Sequence, residues 1–474
     1  MTNVSEMFQE FIRLEKDMNL FRRKIQGVLF WEHVRCSIFF LISGMKSEEV
    51  PSKMSKISFF ERMKFHLLSF IRVNRNPFFG FRKDILFFSN ARRVLRKDGR
   101  WWDIYTDYIV NQLEMSFRSI EQSISLKHRM PAKTRGLRYI DFLHSLSYIL
   151  QKLNLISFSL TKDEAAFLGS LGNEIRTRFH IKMDVENFVI QRLRTRNIRV
   201  PFYQWLLRWI KPKVTIVTTD CGMEDFIEAA RSLGIPVIEF QHGNISPYHP
   251  GYSFPDEHQT IRTFADYLFV FGDFWRDIAT FPLDPDHIIS VGFPYLEEEM
   301  RLHSTVGKKR QILVISQNLV GKTLSRFAVD LSKFPGLNYK IVYKLHPAEY
   351  KDWRINYPWL VDSEIDVVDG NVPSLYRLFA ESETQLGVYS TAIYEGLAFG
   401  LRTFLLDMEE TQHMQNLLDV GVVEKISSIE DFISIIEKEV DVESFNQDVF
   451  FRKDSIRNII EAIKTIAFNR PDIE

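Results

Sequence analysis

Gln385-Leu-Gly-Val-Tyr389 is a short apolar run that ends at Ser390-Thr391 and passes at once into Ala392-Ile-Tyr-Glu-Gly-Leu-Ala-Phe399, a segment of helical length. A brief apolar strand, a polar corner and a helix form the repeating unit of parallel sheets covered on both faces. The unit recurs on either side. Gln311-Ile-Leu-Val-Ile315, Tyr339-Lys-Ile-Val-Tyr343, Ile365-Asp-Val-Val368 and Arg402-Thr-Phe-Leu-Leu406 read as strands, with helices at Thr323–Ser332, Ser374–Ala380 and Ala392–Phe399.

Upstream lies a second series of the same kind. Its strands are Asp84-Ile-Leu-Phe-Phe-Ser-Asn90, Trp102-Asp-Ile-Tyr-Thr-Asp107, Val214-Thr-Ile-Val-Thr-Thr219, Pro236-Val-Ile-Glu-Phe240, Tyr267-Leu-Phe-Val-Phe271 and His287-Ile-Ile-Ser-Val291. Residues 110–205 read as mostly helical, and a helix follows at Met223–Leu233. Gly292-Phe-Pro294 ends the series, and the polar stretch Glu297–Arg310 reads as a linker. The expectation is two doubly wound α/β domains in tandem, with strand C-termini lining a cleft between them. The boundaries read as 1–78 (helical, basic and aromatic), 79–295, 296–427 and a helical tail, 428–474.

The length of 474 residues fits two or three domains, and 45% apolar with 26% charged residues excludes disordered, collagenous and multi-spanning membrane classes. Two cysteines, Cys36 and Cys221, make no disulfide framework, so a reducing, cytoplasmic setting is expected. The first twenty residues carry Glu6, Glu10, Glu15 and Asp17 and no apolar core, which speaks against a secretory signal. Ile25–Ser43 is broken by Glu32, His33 and Arg35 and reads as a buried or interfacial helix rather than a span.

Charge is zero overall, yet residues 1–100 hold 20 Lys and Arg against 10 Asp and Glu, a net of +10. Met7, Phe11, Leu14, Met18, Phe21 and Ile25 form one helical stripe. A second helix, Lys56–Val73, mixes Phe and Leu with Arg62, Lys64 and Arg72. Such a helix can lie on an anionic membrane surface, or pack on the next domain with its basic face in water. A local basic region on a neutral chain points to an anionic surface rather than to nucleic acid.

Polar clusters stand just after the strands, where open parallel sheets bind ligands. They are Thr219-Asp220-Cys221-Gly222, Gln241-His242-Gly243 with its continuation through His249 to Tyr252, Lys344-Leu-His346-Pro347, and Ser390-Thr391 with Glu395 one turn on. Ser316-Gln317-Asn318 is a weaker fifth. Ser390 and Thr391 open a helix, whose free N–H groups and dipole favour a phosphate, although a plain N-cap has the same composition. Lys344 and His346 would add a cation and an imidazole donor near a diphosphate, and Glu395 could accept from ribose hydroxyls. His242 suits a general base, and Asp220 could orient it or replace it. No HExxH, CxxC pair, P-loop or GxGxxG occurs, and Asp284-Pro-Asp286 sits in a turn away from the cleft, so metal-independent chemistry without a cofactor is expected.

Gln241-His242-Gly243, Lys344-Leu-His346-Pro347 and Ser390-Thr391, in this order across two Rossmann-like halves, resemble the GT-B glycosyltransferases of bacterial surface polysaccharide synthesis. That set includes capsule-synthesis transferases, sialyltransferases with His-Pro motifs and CDP-glycerol glycerophosphotransferases. The likeness covers about residues 84–410, and Phe30-Trp-Glu-His-Val-Arg35 looks like an element preceding the first sheet in such proteins. It implies that His346, Ser390 and Thr391 hold the donor phosphate, with Lys344, Pro347, Glu395 and Gln317 beside them. It implies His242 as base, with Gln241, Gly243, His249 and Tyr252 on the acceptor side. Asp220-Cys221-Gly222 lacks the middle acid of the sialyltransferase motif, which leaves Asp220 as an alternative base.

The expected activity is transfer of a sugar from a nucleotide sugar to a glycan or lipid-linked glycan, with inversion, by an enzyme peripheral to the inner face of the cell membrane. The alternatives are CDP-polyol phosphotransfer, a non-hydrolysing nucleotide-sugar epimerase, and an inactive scaffold of a polysaccharide assembly complex.

Overall fold

The computed structural model describes residues 4–44, 59–71, 75–80, 82–89, 92–123, 126–153, 156–219, 221–256, 260–438 and 447–468. In the first half the strands are β1 (Ile85–Ser89), β2 (Arg93–Leu95), β3 (Trp101–Asp103), β4 (Phe117–Glu121), β5 (Arg138–Tyr139), β6 (Val214–Val217), β7 (Val237–Phe240), β8 (Tyr267–Val270) and β9 (Ile288–Ser290). Seven of them form one parallel sheet in the order β5-β4-β1-β6-β7-β8-β9, while β2 and β3 pair antiparallel on their own. The second half carries β10 (Lys309–Ile315), β11 (Lys340–Lys344), β12 (Asp366–Val368), β13 (Ser382–Gly387), β14 (Arg402–Leu406) and β15 (Glu424–Ile426). They form a parallel sheet ordered β12-β11-β10-β13-β14-β15.

Both orders run outward from the first strand in one direction and then reverse, the doubly wound pattern. The reversal falls between β1 and β6 in one sheet and between β10 and β13 in the other. Crevices at such switch points, beyond the strand C-termini, are where these folds take ligands. Two doubly wound domains that meet across a cleft, preceded by helices, make the GT-B arrangement.

Three local expectations change. Trp102–Asp107 is not a strand of the sheet: Asp103 Oδ1 accepts from the amides of Tyr105 (2.9 Å) and Thr106 (3.0 Å), which turns the chain after β3. Residues 110–205 are mostly helical, as read, but they also hold β4 and β5 of the sheet. Their sequence hides this because β4, Phe-Arg-Ser-Ile-Glu, buries charges that find partners inside: Arg118 bonds to Pro77 O and Glu121 to Arg93. The stretch read as a linker, Glu297–Arg310, begins inside the helix Pro294–Leu302 and ends in β10, which takes Lys309 and Arg310.

The N-terminal helices, Val4–Asp17 and Trp31–Ser43, join the first core through Phe8, Phe11, Leu14, Trp31, Val34 and Ile38. Trp31–Ser43 is buried along most of its length, and among the described residues no helix is long and apolar enough to cross a membrane. The C-terminal helix Ser455–Phe468 returns to the first half, where Ile459 and Ile463 are buried. Lys56–Ser58 and Arg72–Val73, at the ends of the expected basic-aromatic helix, lie outside the described residues; its centre is the helix Phe59–Ile71.

Candidate active site

Each sheet delivers its polar loops to the same cleft. The loop after β7 begins with Gln241, which is buried and pinned at both ends of its amide: Oε1 accepts from Phe271 N at 2.8 Å and Nε2 donates to Gly243 O at 2.9 Å. Gln241 thereby shapes the turn that presents His242. Across the cleft, Ser390 caps the helix Thr391–Ala398, its hydroxyl accepting from Ala392 N at 3.2 Å. Asn244 N donates to Thr391 Oγ1 at 2.9 Å, so the His242 loop of the first sheet touches the helix start of the second. Gly243 lies at the same contact, where a Cβ would meet Thr391 Oγ1 at an ordinary 3.6 Å.

His242 is held from three sides. Its carbonyl accepts from Tyr105 Oη (2.7 Å) and Arg92 Nη1 (3.1 Å), and its Nδ1 lies 3.4 Å from Tyr252 Oη. Burial, then the Arg92 guanidinium, bring its pKa down to about 4, so the ring is neutral at physiological pH. His249 is lowered further, to about 3, by burial and by His242, Arg35 and His413 around it. Its Nδ1 accepts from Gly251 N at 3.0 Å. Tyr252 is buried, with its hydroxyl turned to Glu239 and the His242 ring rather than to solvent.

The segment Phe30–Arg35 explains itself here. Arg35 donates to Glu15 through Nε at 2.6 Å, and to Ser253 O through Nη2 at 2.8 Å, and it also bonds Pro250 O. Glu32 accepts from Arg262 N and Thr263 N, and His33 faces Asp225 and Glu228. The N-terminal helices thus hold the loop that carries His249 and Tyr252. The sulfurs of Cys36 and Cys221 meet at 2.7 Å where this helix touches the loop after β6. Asp220, the alternative base, lies outside the described residues.

In the second domain, His346 follows β11, its amide bonded to Glu349 Oε2 at 2.7 Å and its Nδ1 accepting from Ala348 N at 3.2 Å. Glu349 also takes Ser316 Oγ (3.0 Å) and Tyr357 Oη (2.7 Å), which ties the ends of β10 and β11 together. Lys344 is tucked away from the helix start: its ammonium donates to Leu345 O and Tyr350 Oη, and burial lowers its pKa to about 8. Pro347 is exposed beside His346. Gln317 Oε1, Asn244 Oδ1 and Gln412 Oε1 are buried at the cleft loops with no protein partner among the described residues. Unmatched polar atoms of this kind cost stability unless something bonds them.

Glu395 faces the opposite domain. Burial raises its pKa to about 7, opposed by Arg92 and by a hydrogen bond with Tyr376, with Glu299 adding to the rise. Among the described residues no three His, Cys, Asp or Glu side chains gather as a metal site.

Arg92, Tyr105 and Glu239 escape a reading of the sequence. Glu239 leaves a signal even so: it is the only charged side chain in the apolar run of β7, a strand buried on both faces. Arg92 follows the small polar end of β1, at the first switch point.

No protein-family model matches the chain, and no curated protein does. Among solved structures it is similar to UDP-GlcNAc 2-epimerase from Methanocaldococcus jannaschii, at 12% identity over 80% of this chain and 99% of that one, with a TM-score of 0.46. UDP-GlcNAc 2-epimerase from Neisseria meningitidis bound to UDP-GlcNAc gives 12% identity, 80% and 99% coverage, and a TM-score of 0.45. The wall teichoic acid polymerase TagF gives 13% identity, 85% and 93% coverage, and a TM-score of 0.42.

Proposed function

We propose that the chain is a metal-independent, inverting glycosyltransferase that moves a sugar from a nucleotide sugar to a glycan or lipid-linked glycan of the cell surface. The observation that carries this reading is the Asn244–Thr391 contact, which sets a neutral imidazole against a helix N-terminus in one cleft. His242 takes the proton of the acceptor hydroxyl as that oxygen attacks the anomeric carbon. The bond from that carbon to the nucleotide phosphate breaks, and its electron pair leaves with the phosphate. His346, Ser390, Thr391 and the backbone amides of the helix start stabilise the charge that develops there. Lys344 and Glu349 support this by fixing the His346 loop, and Glu395 and Gln317 complete the donor side.

A thermal-shift screen of CMP, UDP, GDP and dTDP identifies the donor class, and stabilisation by none of them favours the inactive scaffold. Product analysis separates the enzymatic alternatives. A new phosphodiester means CDP-polyol phosphotransfer, and turnover of donor with no acceptor means epimerisation. Activity should persist in EDTA; loss on chelation with recovery on adding Mg²⁺ or Mn²⁺ would refute metal independence.

Membrane association belongs to the same reading. The helix Phe59–Ile71 exposes Phe60 (83%), Leu67 (61%) and Ile71 (69%) along one face, with Lys64 exposed beside them. Trp205 and Trp209 are also exposed, next to Arg208, Lys211 and Lys213. Exposed aromatic and aliphatic side chains near cations suit an anionic interface. Co-sedimentation with phosphatidylglycerol vesicles, weakened in a Leu67→Asp/Ile71→Asp variant and absent with phosphatidylcholine alone, is the expected result.

A further inference from the structure

We propose that Tyr252 and Glu239 are positioning residues that set the tautomer of His242, keeping the proton on Nδ1 and leaving Nε2 as the basic nitrogen. The inference rests on His242 being the base. Glu239 projects from β7 and is wholly buried, and its Oε1 accepts from Tyr252 Oη at 2.6 Å. Tyr252 is the donor of this bond, so its single phenolic proton is committed to Glu239. The Tyr252 oxygen then has only lone pairs to offer His242 Nδ1, 3.4 Å away. The contact is favourable when Nδ1 carries hydrogen, and repulsive in the other tautomer. Which ring nitrogen is basic follows from the bond its partner makes.

The remaining groups around the ring leave this preference in place. Arg92 and Tyr105 bond the His242 carbonyl rather than the imidazole. His249, next along the loop, packs at a tilt against Tyr252 at 4.9 Å between ring centres, and its own Nδ1 accepts from Gly251 N. During the reaction the acceptor proton moves to Nε2, the ring becomes an imidazolium, and its Nδ1–H still donates to Tyr252. Tyr252, held by Glu239, stays the acceptor of that hydrogen. No proton crosses the relay. Its work is orientation and charge stabilisation, as a carboxylate does behind a catalytic histidine.

The test is nitrogen NMR of protein labelled with ¹⁵N-histidine, with the His242 signals assigned by their loss in His242→Gln. In the wild-type protein Nδ1 should appear as a protonated nitrogen and Nε2 as a lone-pair nitrogen. Tyr252→Phe and Glu239→Gln, both close in shape to the native residues, should shift His242 toward the opposite tautomer or a mixture. An Nε2–H tautomer in the wild-type protein overturns the proposal, and that measurement needs no variant to fold. Unchanged Nδ1–H in both variants overturns it as well.

A rate measurement, using whichever nucleotide sugar the screen selects, separates this idea from the one beneath it. Tyr252→Phe and Glu239→Gln should each lower kcat by about 10–100-fold with KM for donor unchanged, and the double variant should be no worse than the poorer single one. Full activity in His242→Ala removes the base itself. Loss in His242→Ala with full activity in both relay variants removes only the relay.

Discussion

Glu395 shows how far one side chain can be moved by its surroundings. The carboxyl titrates near 4.5 in an unfolded chain and at about 7 in the fold. Between those values the folded state keeps a proton that the unfolded chain gives up. This group therefore supports the fold fully below about pH 4.5, and its support is lost as pH rises through about 7. Melting curves from about pH 5 to about pH 8 should show Glu395→Gln gaining on the wild-type protein as pH rises; a constant difference would mean that the carboxyl is not shifted. His346 gives a second expectation. His346→Ala should lower turnover by about 10²–10³-fold, the usual cost of losing one group that stabilises developing charge. Near-normal turnover in a folded variant would take His346 out of the donor site. His242, His346, Ser390 and Thr391 were legible because each interrupts an apolar run at a strand end. Tyr252 was legible as a residue of the loop after β7, but its partnership with Glu239 was not, because sequence does not say which way a phenol turns.

At the scale of elements, the helix Thr391–Ala398 is seated by its close approach to the sheet. A Cβ on Gly396 would lie 2.0 Å from Gln385 Oε1, and Gln385 Nε2 donates to Ile393 O and Thr403 Oγ1, both at 2.8 Å. Gly396→Ala must push the helix off β13 or displace that amide. Overpacking of this kind costs about 1–3 kcal/mol. Thermal denaturation should register the loss, and weaker nucleotide stabilisation of the variant should accompany it because the helix start moves. A melting temperature equal to wild type would show that the sheet yields. Most strands were readable here because parallel strands buried on both faces carry apolar runs, as β8 and the Ile312–Ile315 end of β10 do. β4 was not, because Arg118 and Glu121 satisfy their charges within the fold and break the apolar signal. The two-residue β5 offers too little pattern to read.

At the scale of the molecule, the two halves differ in how they close. One core, of described residues between Ile312 and Ile436, lies wholly within the second half. The other runs from Phe8 to Ala467 and takes in residues of both halves, Tyr394 and Leu397 among them. The returning tail is fitted tightly: Trp275 Nε1 donates to Phe450 O at 2.9 Å, Arg452 N donates to Phe271 O at 2.8 Å, and a Cβ at Gly272 would collide with Val449 O. Ending the chain after Lys438 would uncover Ile459's and Ile463's packing sites, each worth roughly 1.5–3 kcal/mol. Calorimetry of that shortened chain should show the first domain melting earlier while the second keeps its own transition; one unchanged transition would mean that the tail is dispensable. The full chain carries a consequence for its birth on the ribosome. The half made first lacks its last helix until residues 455–468 have emerged, whereas the core that lies wholly in the second half is complete once residue 436 has left the exit tunnel. Maturation should therefore run against the order of synthesis, and the nascent first half is the part most in need of a chaperone's cover.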